Sequence, residues 1–110
     1  MTYPNSSLSP CFNPLNCVFF QKEFEDVDKT FKQLVTIAEK IPRTNVLESR
    51  ENYWKGVCRS LIFRFPDDLE ILKIDKKIQI KSASRYGGGD LGVYGTRVGR
   101  LLTALEKFNI

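Results

Sequence analysis

Histidine is absent from this 110-residue chain, and that absence removes more chemistry than any motif present supplies. Ser-His-Asp and Cys-His nucleophilic machinery cannot be assembled, and zinc sites lose their commonest ligand. A serine activated by lysine would need Ser82 or Ser84 beside Lys81 or Lys77, but neighbours along a strand point to opposite faces, so no such dyad is expected. Long apolar runs are missing too. Stretches such as Cys17-Val-Phe-Phe20 or Leu61-Ile-Phe63 fall far short of the ~20 residues that cross a bilayer, so no membrane-spanning helix is expected. The first residues, Met1-Thr-Tyr-Pro-Asn-Ser-Ser7, carry neither the basic nor the apolar region of a secretory signal. A cytoplasmic location is the expectation, or a plastid if a transit peptide precedes this numbering. Cysteines are few and odd in number, Cys11, Cys17 and Cys58, with no C-x-x-C pair, which argues against a disulfide framework. Cys11 and Cys17 could bridge if the loop between them folds back, but a reducing cytosol favours the thiols. Cys58, inside an apolar strand, is expected to act as a small buried hydrophobe.

Apolar residues make up 42% of the chain and charged residues 27%, close to ordinary globular usage, which suggests neither disorder nor a fibrous architecture. The length suits one domain with one core. The net charge of +4 is uneven: residues 1–70 balance at −1 and residues 71–110 at +5. A basic C-terminal third suits an acidic partner, an anionic ligand, a nucleic acid or simply a solvated basic face.

Residues 1–22 hold three prolines, three serines and three asparagines and read as an irregular lead-in that docks through Val18, Phe19 and Phe20. The remainder, 23–110, reads as a single α+β domain. Val27, Phe31, Leu34, Ala38 and Ile41 form one apolar stripe on a helical period, with Asp26 or Asp28 as the cap and Pro42 as the stop. From Thr44 the period changes to two. A short strand at Val46 and Leu47 precedes a long one over 53–65, in which Tyr53, Val57, Leu61, Phe63 and Phe65 share a parity. Pro66-Asp67-Asp68 reads as a turn, and strands over 69–74 and 77–85 flank an Asp75-Lys76 turn. A second helix is expected over about 93–108, its buried stripe Val98, Leu101, Leu102, Leu105 and Phe108. The expected architecture is an α+β two-layer sandwich: an antiparallel meander of three to four strands with an N-terminal and a C-terminal helix on one face.

Candidate chemistry gathers late in the chain. Asp67, Asp68 and Glu70 crowd one hairpin, where paired carboxylates can act as general acid and base or hold a hard cation. They can equally make a turn, or pair with Arg64, Arg85 or Arg97. Gly87-Gly-Gly-Asp-Leu-Gly92 lies between a strand and a helix, where bare amides favour anions. It lacks the Gly-Lys-Ser/Thr ending of a phosphate-binding loop, and its glycines also suit a sharp reversal capped by Asp90. Arg85, Arg97 and Arg100 could grip a phosphate or carboxylate, or pair with Asp67, Asp68 and Asp90. Tyr86 and Tyr94 could stack on bases, but no nucleic-acid signature accompanies them, and a nucleic-acid role is not expected.

These residues resemble a family. Ser82-Ala-Ser-Arg85, Asp90-Leu-Gly-Val93 and Arg97, preceded by Phe65-Pro-Asp-Asp-Leu-Glu70, are similar to the R-S-A-S-R-x-G-x-S-D-L-G-V-N-x-x-R and F-x-D-D-V-E segments of the uncharacterised family called domain of unknown function 1499. Asn16-Cys17-Val18 resembles its opening N-C-V, and Tyr53 and Ser60 match its long strand, so the likeness spans about residues 13–106. Lys81, Gly89 and Tyr94 stand where the family usually has Arg, Ser and Asn. The resemblance implies a prokaryotic or plastid setting and no particular reaction. The leading expectation is a non-enzymatic binding or accessory domain without cofactor or metal, its site formed by Ser82, Ser84, Arg85, Asp90, Arg97, Asp67 and Asp68. In it Arg85 and Arg97 would face an anionic ligand or a protein partner. The alternatives are a histidine-free enzyme using Asp67 or Asp68 as acid/base, and an assembly or repair factor of a photosynthetic membrane complex, signalled by an exposed apolar patch at Val18 to Phe20.

Overall fold

The alternation that begins at Thr44 becomes a four-strand meander in the computed structural model, which describes residues 7–9, 11, 17–59, 66–84, 99 and 102–105. The strands are β2 (Thr44–Ser49), β3 (Tyr53–Arg59), β4 (Pro66–Ile74) and β5 (Lys77–Ser84), each antiparallel to its neighbour. Preceding them are β1 (Cys17–Glu23) and the helix α1 (Val27–Glu39). β1 pairs antiparallel with β5, giving the order β1-β5-β4-β3-β2. The sheet thus has five strands where three to four were expected, and the addition comes from the end of the stretch expected to be irregular. Because β1 and β2 are opposite edges, α1 must carry the chain across one whole face of the sheet.

Local chemistry explains the boundaries of α1. The Asp26 side chain accepts the Lys29 N–H at 3.2 Å, which satisfies one of the donors every helix start leaves open. At the other end Ile41 N–H bonds Ala38 O at 3.1 Å, tightening the last turn just before Pro42. Arg43 then takes φ 61° to turn the chain into β2. Asp75 takes φ 54° in the two-residue connection of β4 to β5, a conformation Asp tolerates better than most residues.

Phe31, Leu34 and Ala38 of α1 pack on Trp54 and Cys58 of β3, Leu69 and Ile71 of β4, and Ile78 and Ile80 of β5. Leu102 and Leu105, in the second helix, join the same cluster. Both helices therefore lie against one face, as the two greasy stripes required. The parity on β3 is different from that expected. The helix-facing side chains are the even-numbered Trp54 and Cys58, while Tyr53 and Val57 are buried on the opposite face. On β1 the docking side chains are Val18 and Phe20, with Phe19 turned outward.

Cross-strand register aligns Trp54 with Ile71, Ile71 with Ile80 and Ile80 with Phe20. One apolar row thus crosses four strands under α1. The indole of Trp54 lies over Gly56, where a Cβ would stand 2.6 Å from Cη2 and 3.2 Å from Asn45 O. Gly56→Ala is accordingly expected to cost about 1–2 kcal/mol by overpacking, read from the shift of the urea midpoint at unchanged slope. Lys73 ties β4 to the first turn of α1, its Nζ 2.6 Å from Asp28 Oδ1 and 5.7 Å from the Phe31 ring centroid.

A Cys11–Cys17 disulfide is present, against the expectation of thiols there, while Cys58 stays outside any disulfide and is buried as expected. No helix among the described residues is long and apolar enough to cross a membrane.

Candidate functional site

Pro66-Asp67-Asp68 is the start of β4 and not a turn. Asp67 stands between Cys58 of β3 and Ser84 of β5, and Asp68 between Val57 and Ala83. Ladder pairing on both sides outweighs the turn preference of an Asp-Asp pair after proline. Because strand neighbours alternate, the two carboxylates are on opposite faces, and the paired geometry needed for a shared acid/base centre is not formed. Glu70 shares the face of Asp68. Among the described residues, no group of three or more acidic or cysteine side chains converges as a metal site would require.

On the helix-facing side Asp67 continues the line of Leu69 and Ile71 into a polar end of the core. Thr44, Cys58, Asp67 and Ser84 follow one another across four strands. Ser82 is one row inward, between Val18 and Leu69. Asp67 is 4% exposed and Ser82 0%, and neither is without a partner. The Thr44 hydroxyl donates to Cys58 Sγ at 3.3 Å. A carboxylate and a serine hydroxyl removed from water at the end of an apolar face are costly unless they are bonded. The expected site residues Asp67, Ser82 and Ser84 are thus brought to one end of the sheet, and Asp68 is set on the other side. Arg85, Asp90 and Arg97, the glycine loop, Arg64, Arg100, Tyr86 and Tyr94 lie outside the described residues.

The opposite face carries polar chemistry that sequence reasoning passed over. Tyr53, Leu72, Gln79 and Gln21 are register neighbours across β3, β4, β5 and β1. Tyr53 Oη donates to Glu70 Oε2 at 2.6 Å. Burial raises the Tyr53 pKa well above the usual tyrosine range, and the Glu70 hydrogen bond and charge raise it further. A raised pKa means the protonated form is favoured by folding. Its contribution is complete below about pH 10 and is lost as pH rises beyond that, where the unfolded chain's tyrosine ionises. At about pH 11, absorbance at 295 nm is expected to fall short of the signal for the chain's four tyrosines until the sheet unfolds. Tyr53→Phe, with three tyrosines left, should show no such further rise when the sheet unfolds.

An antiparallel five-strand sheet with both helices on one face and a buried polar end defines a small α+β domain. Within that class, the chain matches over residues 7–105 the family model described as "Protein of unknown function (DUF1499)", and it belongs to that family. No curated protein matches it.

Proposed function

We propose that the protein is a non-enzymatic binding or accessory module, and that the polar end of the core face, Asp67, Ser82 and Ser84, joins Arg85, Asp90 and Arg97 in receiving an anionic group of a ligand or protein partner. The observation that carries this reading is the burial of Asp67 and Ser82 on one face, at the sheet end from which β5 runs on toward Arg85. Buried polar groups are best maintained where they orient something, and two arginines closely following in sequence supply a bidentate grip on carboxylate or phosphate. Asp90 would fix the loop, and the glycines would admit a ligand close to the backbone. The separation of Asp67 from Asp68 onto opposite faces weighs against an acid/base pair.

Equilibrium unfolding of Arg85→Ala and Arg97→Ala separates binding from a purely structural lock. Arginines that serve a ligand leave the midpoint close to wild type, within the range of ordinary surface substitutions. If each replacement unfolds the domain and no bound species is found, the cluster is scaffold and the reading fails.

A further inference from the structure

The face of the sheet away from α1 is crossed by a short piece of the N-terminal segment, bound much as a receptor holds a peptide. Leu8 is 2% exposed and packs with Tyr53 and Leu72, with Ile74 against them. Beside this apolar notch Gln79, 4% exposed, uses its whole side-chain amide. Its Oε1 accepts the Leu8 N–H at 2.8 Å, and its Nε2 donates to Ser7 Oγ at 3.0 Å and to Gln21 Oε1 at 2.6 Å. A side chain that reads a backbone N–H and the preceding residue's hydroxyl, next to a pocket for one leucine, combines the main-chain and pocket terms of extended-peptide recognition. The sheet's own ladder does not need Gln79 for this. Its neighbours in sequence, Ile78 and Ile80, face the helices.

The segment is also tethered. Cys11, three residues beyond Leu8, is bonded to Cys17, and Cys17 is paired with Ala83 in the sheet. Three residues reach at most about 11 Å, so the bridge confines Leu8 to the neighbourhood of β1 and β5. Confinement of this kind raises the local concentration of a tethered ligand over that of a free one.

We propose that the Tyr53–Leu72–Gln79 notch is a subsite for a leucine on an extended peptide, filled in the oxidised protein by the chain's own Ser7-Leu8 and opened when a dithiol reduces the Cys11–Cys17 bridge. In that step two electrons and two protons pass from the dithiol to the protein. The sulfur–sulfur bond becomes two cysteine thiols and the dithiol closes to its own disulfide. The notch is on the opposite face from the Asp67 end, so the proposal stands independently of the binding role given to that end.

The test is amide hydrogen exchange on the full chain, oxidised, reduced with dithiothreitol, and as Cys11→Ser and Cys17→Ser. Fluorescence anisotropy of a labelled synthetic peptide covering residues 5–10 accompanies it. Reduction should speed exchange at the Leu8 amide by on the order of tenfold or more, the effect of releasing a small closed loop, while Ile71 and Ile80 stay protected. The peptide should bind the reduced protein and both serine variants, fail to bind the oxidised protein, and lose binding when its leucine is replaced by serine. Unchanged Leu8 exchange after full reduction overturns the proposal, as does release of Leu8 without peptide binding. Loss of protection at Ile71 and Ile80 in every bridge-free form overturns it as well, because the bridge would then hold the fold and not the strap.

Discussion

Trp54→Ala is expected to destabilise the domain by about 3–5 kcal/mol, the largest loss of any single substitution considered. The chain has one tryptophan, and it is fully buried beneath α1 in the central apolar row. Its Nε1 donates to Glu39 Oε2 at 3.1 Å, which fastens the last residue of α1 to the sheet. Removal opens a cavity that Gly56, with no side chain to lend, cannot fill, and it leaves the closing turn of the helix without its anchor. Against a total stability of about 5–15 kcal/mol, this approaches the limit of folding. Calorimetry should show a fall in Tm of more than about 10 °C, and Trp54→Phe should recover much of it. A fall of only a few degrees would mean that the helix-facing core has been assigned to the wrong side of β3.

Asp67→Ala should cost about 1–3 kcal/mol, the penalty for depriving a buried group of its partner. Asp68→Ala, on the more open face, should cost less. The contrast is the informative part. Adjacent carboxylates in a turn would share one environment and respond alike. Carboxylates on opposite faces of β4 respond differently, and parallel urea titrations of the two variants measure the difference directly.

Much of the fold was legible in the sequence. The Val27, Phe31, Leu34, Ala38 stripe with Asp26 before it and Pro42 after it is a local signal, and α1 formed where it indicated. The Asp75-Lys76 hairpin was local as well. β1 was not legible, because Cys17-Val-Phe-Phe20 is continuously apolar and Gln21-Lys-Glu23 continuously polar, so no alternation announces a strand. Its partner β5 lies 66 positions away where Cys17 meets Ala83, and 54 where Glu23 meets Lys77. The same dependence on distant partners hid the role of Pro66-Asp67-Asp68. Parity on β3 misled because both of its faces are covered, one by α1 and the other by Leu8. The Cys11–Cys17 bridge was geometrically open from the spacing, and only the assumption of a reducing compartment argued against it. Of the candidate residues, Asp67 was singled out with Asp68 and Glu70 as a cluster of carboxylates and Ser82 from its place before the glycine segment; both are buried on the helix-facing side of the sheet. Gln79 was missed because its position between Ile78 and Ile80 reads as a solvent-facing step. What buries it is Ser7-Leu8, more than seventy residues earlier.

Native mass spectrometry of the protein purified gently from its own source is the most direct test of a binding role. The account predicts a species heavier than the bare chain, carrying either a small anionic molecule or a larger protein, and reduced to the bare mass by Arg85→Ala with Arg97→Ala. A bare monomer as the sole species, with those arginine replacements unfolding the domain, would contradict it.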